Sequence, residues 1–265
     1  MSIAVEIAVQ DLAGLEVAAA AGADRVELCA DLVRGGVTPP LDLIAACTQR
    51  AAEMAARGQA RPHFDVHVLI RCRAELTDFL GHPEEFVFSA AEIESMTRQA
   101  ADAVQAGAAG VVLGALTADA RLDLSALEQM RDAALQAGQE QMRGVTLTLH
   151  RAVDTLPGRA QRQAAVEAVI PLGFHRVLSS GGAQCAMDGA GDLAAMVEAS
   201  AGVVDVCAGG SVRPADIAGL VKATGISDVH LSARRRPGVQ PAPGEPSTDT
   251  DPAVATAAVD AAGAL

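Results

Sequence analysis

Short hydrophobic runs of strand character alternate along the whole chain with alanine-rich stretches of helical spacing. Eight runs have the composition of strands: IAVEIAV, RVELCA, FDVHVLIR, GVVLGAL, GVTLTLHR, HRVLSSGG, VVDVCAGGS and DVHLSAR. A strict order of strand then helix requires parallel strands joined by right-handed crossovers. Eight such units predict an α/β fold, a closed (β/α)8 TIM barrel, as a single domain over residues 1–265.

The predicted helices cover 11–21, 41–57, 90–106, 124–137 and 161–172, and a last helix covers 252–262. Three end at a glycine directly before a strand, in AAGADRV, QAGAAGV and PLGFHRV, which is typical of a helix-to-strand connection. An open doubly wound sheet is the competing fold. Its first strand should be followed by a GxGxxG fingerprint, which EIAVQDLAG lacks, so we expect no nucleotide cofactor.

Two segments depart from the repeat. Residues 72–88, after the third strand, form a long connection at the end of the barrel where active sites lie, so they are either a lid or a plain insertion. Residues 234–250 are rich in proline and polar residues and predict an extended linker before the last helix. The three arginines 234–236 indicate a solvated rim near the mouth.

Charge and cysteine content restrict the class of protein. The formal net charge of −13 disfavours nucleic acid or an anionic membrane as a partner, and no apolar stretch reaches transmembrane length. The start, MSIAVEIAVQD, lacks the features of a signal peptide. We therefore expect a cytoplasmic protein. Five cysteines, an odd number spread over a large chain, predict reduced thiols, and the absence of a CxxC pair disfavours a zinc site of the finger type.

The stretch 22–39, GADRVELCADLVRGGVTP, places charged residues inside a strand. Because side chains alternate along a strand, Arg25, Glu27 and Cys29 share one face, whereas Val26 and Leu28 share the other. The apolar face is expected to pack under helices. A buried charge on the opposite face needs a partner, so we predict that Glu27 is buried at the barrel centre beside an arginine or a histidine.

Other strands carry candidate partners that are expected to point into the barrel. This inward set is Glu6, Arg25, Glu27, His67, Arg71, His150, Asp154, His230 and Ser232. Barrel interiors are dominated by branched aliphatic residues, so a polar interior indicates a site. For any single member, a structural ion pair is the alternative interpretation.

The residues at the strand ends suggest acid–base chemistry on an anion. His150, Arg151 and Asp154 combine a group that titrates near neutral pH, a fixed cation and a carboxylate that could orient the imidazole. We predict these three, with Glu27 and His230, as the catalytic set. The predicted ligand-binding residues are Arg71, Arg73, Ser180, Gly181, Gly209, Gly210 and Ser232. The glycine pair 209–210 could instead serve only a tight turn.

Six blocks resemble, in order and spacing, the motifs of the copper homeostasis protein CutC family: ELCADLVRGGVTP, VHVLIRCR, LTLHRAVD, RVLSSGG, AGGSVRP and VHLSA. The resemblance covers residues 3 to about 233. It implies a cytoplasmic (β/α)8 barrel that takes part in copper homeostasis and binds Cu(I). It also implies an oligomer, and we expect a homodimer.

The chain departs from that family where copper matters. The first strand, EIAVQD, lacks the cysteines of many relatives, Cys72 replaces the proline of the usual IRPR motif, and AELTDF replaces the usual GGDF. Cu(I) favours soft ligands, so the copper hypothesis assigns Cys29, Cys72 and His67 as metal ligands, with copper as cofactor or partner. The alternative is a barrel enzyme acting on a small anionic or phosphorylated metabolite at the C-terminal mouth.

Overall fold

A computed structural model describes residues 3–73, 79–235 and 248–265 and confirms the predicted (β/α)8 barrel. Each strand pairs in parallel with the next, and β8 pairs with β1 to close the sheet. The strands are β1 Ala4–Val9, β2 Arg25–Leu28, β3 Asp65–Leu69, β4 Gly110–Leu113, β5 Thr146–Leu149, β6 Arg176–Ser179, β7 Asp205–Ala208 and β8 Asp228–Leu231. The helices are α1 Leu12–Ala21, α2 Leu41–Ala56, α3 Ala90–Gln105, α4 Leu124–Glu140, α5 Arg159–Val169, α6 Ala190–Ala199, α7 Ile217–Thr224 and α8 Pro252–Gly263.

The helix ends follow from local sequence chemistry. The side chain of Asp11 accepts a hydrogen bond from the Gly14 N–H at 2.6 Å and so caps the N-terminus of α1. Gly22 ends the same helix in the left-handed region, at φ 85°, where a residue without Cβ is favoured. Gly107 of QAGAAGV and Gly173 of PLGFHRV also have positive φ, at 106° and 75°.

Helix α4 continues past its predicted end because Gly138 serves packing rather than termination. A Cβ at Gly138 would lie 2.5 Å from Cγ2 of Val145. Only glycine therefore fits where the helix packs against Val145. Helix α5 is shifted toward the N-terminus relative to the prediction, beginning at Arg159 and ending at Val169.

The apolar face of each strand packs under the helices, as predicted for β2. Val26 and Leu28 are fully buried and belong to one large apolar core together with helix residues such as Ile44 and Met54. Burial of this layer between sheet and helices is the main stabilising contribution of the fold. The opposite faces of the strands are therefore confined to the barrel interior, where polar residues must satisfy one another.

The two irregular connections are only partly described. The first contains a 3-10 turn at Pro83–Phe86, and the second is bounded by a bridge between Arg234 and Thr250. The predicted lid includes residues 74–78 and the predicted linker includes residues 236–247, which lie outside the described residues. No helix in the described part of the chain is long and apolar enough to cross a membrane.

Candidate functional site

Strand alternation places the charged face of β2 inside the barrel. Arg25 contacts the acidic residues of neighbouring strands, and Glu27 and Cys29 line the cavity at the mouth. Glu27 is buried, with 6% of its surface exposed, and its carboxylate lies 3.4 Å from Nδ1 of His230. The predicted burial and histidine partner of Glu27 are confirmed.

A charge network fills the lower half of the interior. The carboxylate of Glu6 lies 2.7 Å from Nη1 of Arg176 and 3.3 Å from Nε of Arg25. The two arginines also bind Asp228, at 2.9 and 2.5 Å. Burial alone would raise the pKa of Glu6, but Arg176, His230 and Arg25 hold that pKa well below its usual value. Two carboxylates and two guanidiniums thus balance in charge, which makes their burial tolerable.

Sequence reasoning missed Arg176 and Asp228, which complete this network. Both are buried, with 3% of their surface exposed. Each begins a four-residue strand, β6 or β8, and Asp228 precedes His230, which the sequence interpretation did single out. The alternation of side chains along RVLS and DVHL could have identified them. It places Arg176 on the same face as Leu178, and Asp228 on the same inward face as His230.

Above the balanced layer, Glu27 and His230 form an acid–base pair. Nδ1 of His230 lies 2.7 Å from Oε1 of Glu6 and 3.4 Å from Oε2 of Glu27. Burial raises the pKa of Glu27 to about 7, and the charge of Glu6 acts in the same direction. Burial would lower the pKa of His230, but the hydrogen bond to Glu6 and the charges of Glu27 and Glu6 outweigh it and raise that pKa.

The two other interior histidines are neutral. Burial lowers the pKa of His67 and of His150 to about 3, and the positive charges of Arg176 and Arg71, respectively, reinforce the effect. Nδ1 of His150 accepts a hydrogen bond from the Ala152 N–H at 3.1 Å. Its Nε2 therefore carries the proton, and that atom is buried without a hydrogen-bond partner among the described residues.

The prediction that Asp154 orients His150 is wrong. The Asp154 carboxylate instead accepts hydrogen bonds from Ser179 Oγ at 2.5 Å, from the Ser180 N–H at 3.0 Å and from the Gly182 N–H at 3.2 Å. It also pairs with Nε of Arg151 at 2.8 Å. Asp154 therefore shapes the loop after β6 and positions Arg151, because its oxygens are directed at that loop.

A cavity of about 770 Å³ opens at the C-terminal end of the strands. Its floor includes Glu27 and His230, and four arginines line it: Arg71, Arg151, Arg213 and Arg234. The guanidinium groups of Arg71 and Arg151 stack on Phe86 and Phe79, with distances of 5.1 and 4.9 Å to the ring centroids. A cluster of cations at the mouth of so acidic a chain favours a negatively charged ligand.

The predicted ligand-binding residues divide into two groups. Arg71, Gly210 and Ser232 line the cavity, whereas Arg73, Ser180, Gly181 and Gly209 do not. Arg73 pairs with Glu92 and stacks on Phe88, so it is not an anion clamp at the mouth. The N–H groups of Gly181 and Gly209 are bound to Ser179, through Oγ and the carbonyl respectively, at 2.8 Å each, so they serve the loop structure.

The three predicted copper ligands do not converge. Cys29 lines the cavity, but Sγ of Cys72 lies 3.9 Å from Oε1 of Glu92, and His67 lies in the lower layer, 3.9 Å from Glu6. Burial raises the pKa of the Cys29 thiol well above its usual value, and the charge of Glu27 acts in the same direction. A single protonated thiol supplies too few soft ligands for a stably bound Cu(I) ion, which requires such ligands in combination.

One group of at least three potential metal ligands is present in residues 3–73, 79–235 and 248–265: Glu6, Glu27 and His230, whose ligand atoms lie within 4.8 Å of one another. Carboxylate and imidazole suit divalent ions rather than Cu(I). Glu6 is already paired with Arg176 and Arg25, so the group does not require a metal ion to balance that charge.

Comparison with known proteins identifies the family of the chain. The model of the CutC family matches residues 3–235. A CutC family protein of Agrobacterium fabrum is 39% identical over 232 residues, 88% of this chain and 80% of the relative, and one of Rhizobium meliloti is 38% identical over 230 residues, 87% and 81%. A crystal structure of a CutC protein from Streptococcus agalactiae superposes with a TM-score of 0.72 at 26% identity, covering 86% of this chain and 97% of that one. The chain belongs to the CutC family.

Proposed function

We propose that this CutC family barrel binds a small anionic molecule at its C-terminal mouth and exchanges a proton with it through Glu27 and His230. The observation that carries the proposal is the position of His230 Nδ1, 2.7 Å from Glu6 and 3.4 Å from Glu27, at the floor of an arginine-lined cavity. Acid–base catalysis uses this arrangement, in which two titratable groups, one that ionises to an anion and one that ionises to a cation, lie together at the base of a pocket.

Charge balance explains why the pair is suited to proton exchange. Glu6 and Asp228 neutralise Arg25 and Arg176 in the layer below, so Glu27 and His230 must balance each other. They do so with one proton between them, either as carboxylate and imidazolium or as carboxylic acid and imidazole. Both forms are neutral overall, so neither carries the penalty of an uncompensated buried charge. A ligand that gives a proton to one of the two groups and takes a proton from the other therefore shifts the pair from one form to the other, with no net change in the number of protons.

Glu6 orients the imidazole for this role. Its carboxylate is ionised, so the Nδ1–H of His230 donates to Glu6 Oε1 and leaves the acid–base function to Nε2. This is the geometry in which a buried carboxylate fixes the tautomer of a catalytic histidine. Glu6 can orient the imidazole because it lies on β1 directly beside His230 of β8 in the register of the two strands.

Schiff-base chemistry is not part of the proposal. The sequence contains one lysine, Lys222, and it lies exposed on α7. No lysine amine is therefore available in the barrel interior within residues 3–73, 79–235 and 248–265. Proton transfer to or from a bound anion, as in an isomerisation or an elimination, is the reaction class that Glu27 and His230 support.

A thermal-shift screen with phosphorylated metabolites, dicarboxylates and inorganic oxyanions tests the proposal. A ligand that binds only the folded chain raises its melting temperature, by an amount that grows with concentration. For each ligand that binds, consumption is then measured by NMR with the wild type and with Glu27→Gln. Turnover by the wild type with a loss of at least about tenfold in the variant supports the proposal. Binding without turnover, or equal turnover by both proteins, contradicts the assigned roles.

Copper handling is the second candidate, favoured by the cavity-facing thiol of Cys29 and by the name of the Streptococcus agalactiae relative, which refers to copper homeostasis. In this proposal Cu(I) is cargo that exchanges at Cys29. Titration with Cu(I) against a competing chelator, for the wild type and Cys29→Ser, tests it. Equal, weak binding by both proteins would exclude it.

We also propose a cytoplasmic location and a homodimer. The five cysteines are all free, which is compatible with a reducing compartment. Light scattering on the purified chain checks the dimer, and fractionation of cells that express it checks the location.

A further inference from the structure

We propose that the loop after β7 binds the phosphoryl group of the ligand, so that the anion is a phosphate monoester held by the N–H groups of Gly210, Ser211 and Val212 and by Arg213 and Arg234. This inference rests on the proposed function, because the same cavity holds both sites. It goes further by naming the chemical class of the ligand and the end of the cavity at which its phosphoryl group lies.

The backbone of this loop offers donors that the protein itself does not use. The flanking N–H groups are bound, Gly209 to the Ser179 carbonyl at 2.8 Å and Arg213 to Oδ2 of Asp216 at 3.0 Å. Between them, the N–H groups of Gly210, Ser211 and Val212 have no acceptor in the part of the chain that the structure describes. All three residues line the cavity, and Val212 is buried, so a ligand in the cavity is in place to supply the acceptors that these N–H groups lack.

The conformation of the loop is unusual and is fixed by its neighbours. Gly210 has φ 104° and Ser211 has φ 52°, a left-handed value that a serine rarely adopts. A Cβ at Gly210 would lie 2.9 Å from Cβ of Ser180 and 3.1 Å from Cζ of Arg151. Glycine is therefore needed for the close approach of the Arg151 guanidinium to the loop, and Asp154 holds that guanidinium in place.

Charge selects a dianion rather than a monoanion. Arg151 is paired with Asp154, but neither Arg213 nor Arg234 has a carboxylate within 4.0 Å among the described residues. Nε of Arg234 is buried and lacks a hydrogen-bond acceptor there as well. Two unpaired guanidiniums match the charge of a phosphate monoester near neutral pH, and several N–H donors suit three terminal oxygens better than the two of a carboxylate.

The position of the loop joins this subsite to the acid–base pair. A Cβ at Gly209 would lie 3.3 Å from Cβ and Cδ2 of His230, so the loop begins beside the imidazole. A phosphoryl group bound at 210–212 would leave the rest of a small molecule over Glu27 and His230. Loops after the seventh and eighth strands are common phosphate sites in barrels, and Arg234 follows β8.

Titration of the 15N-labelled full chain with inorganic phosphate tests the subsite. We expect the amide signals of Gly210, Ser211 and Val212 to shift with a single dissociation constant. Arg213→Met and Arg234→Met should each weaken binding about tenfold, a change that corresponds to about 1.4 kcal/mol. Arg98→Met, which alters an exposed ion pair on α3, is the matched control and should bind as the wild type does.

The outcomes separate the two proposals. The subsite is overturned if phosphate shifts amide signals other than those of residues 210–212. It is also overturned if Arg213→Met and Arg234→Met both bind phosphate as tightly as the wild type does. Binding of malonate in the cavity without binding of phosphate overturns it too, while the proposed function stands. If phosphate shifts the amide signals of residues 210–212 but no phosphorylated ligand is turned over, the result supports the subsite and contradicts the proposed function.

Discussion

The imidazole of His150 occupies the space in which a side chain at Gly114 would lie. A Cβ built on Gly114 overlaps the ring at Cε1, Nδ1 and Nε2. The same relationship recurs one layer lower, where a Cβ at Gly110 would lie 2.8 Å from Cδ2 of His67. The β4 segment therefore supplies glycines wherever the barrel interior holds a neutral histidine, because the rings leave no room for an inward side chain.

Gly114→Ala should displace His150. The backbone at Gly114 does not require glycine, since its φ is not in the left-handed region, so the effect isolates steric overlap. Overpacking of a buried site costs about 1–3 kcal/mol, and we expect a decrease of that size in the free energy of unfolding in urea. The ring nitrogen signals of His150 should change as well.

Gly144→Ala is the matched control, because a Cβ there has no heavy atom within 4 Å. We expect its free energy of unfolding to change by less than about 1 kcal/mol. If both variants unfold at the same urea concentration as the wild type, the imidazole does not lie against Gly114.

The barrel and the inward face of β2 could be predicted because both depend on local periodicity. A period of two assigns Arg25, Glu27 and Cys29 to one face without knowledge of any other strand. Eight repeats of strand and helix then require the parallel barrel, whatever the interior contains.

The partners in the interior could not be predicted, because they depend on where strands meet. Glu6 and Arg176 are 170 residues apart in the chain and meet only when the barrel closes. Loop geometry is the other unpredictable component. The segment after β5 forms a 3-10 turn that directs Asp154 at the loop after β6 rather than at His150, and Arg73 turns toward Glu92 of α3.

Arg176→Met should destabilise the protein severely. It removes one of the two cations that the buried carboxylates of Glu6 and Asp228 share and leaves only Arg25 between them, and loss of one member of a buried ion pair costs about 3–5 kcal/mol. Urea unfolding at pH 7 measures the loss. Arg98→Met, in an exposed pair, should change the free energy of unfolding by less than about 0.5 kcal/mol. A loss below about 1 kcal/mol for Arg176→Met would mean that water reaches the network.

Acid should destabilise the fold through His67 and His150. Their pKa values are about 3 in the folded chain and about 6.5 when unfolded, so their contribution is complete above pH 6.5 and is lost as the pH falls toward 3. Between pH 6.5 and 5 each histidine should account for about 2 kcal/mol. His67→Gln removes one of the two, so its urea midpoint should fall less steeply over this range than that of the wild type. Equal slopes would show that His67 is protonated in the fold.

Asp154→Asn should loosen the loop after β6 without altering the tautomer of His150. An amide replaces one of the two acceptor oxygens with a donor, which faces the N–H groups of Ser180 and Gly182. We expect the free energy of unfolding to decrease by at least about 2 kcal/mol, because hydrogen bonds to a buried carboxylate are lost. The exposed substitution Asp119→Asn is the control. A change in the Nδ1 and Nε2 shifts of His150 without loss of stability would restore Asp154 as the residue that orients it.

Glu27→Gln should change how stability depends on pH in the direction opposite to that of the histidines. The pKa of Glu27 is raised from about 4.5 to about 7, so the contribution of its bound proton is complete below pH 4.5 and is lost as the pH rises through 7. The wild type therefore carries a destabilising buried anion at pH 8 that the glutamine lacks. Relative to the wild type, Glu27→Gln should be about 2 kcal/mol more stable at pH 8 than at pH 5.5, measured by urea unfolding at both values. Exposed Glu94→Gln should show the same difference from the wild type at both pH values. Parallel curves for Glu27→Gln and the wild type would mean that Glu27 is ionised throughout this range and holds no proton to exchange with His230.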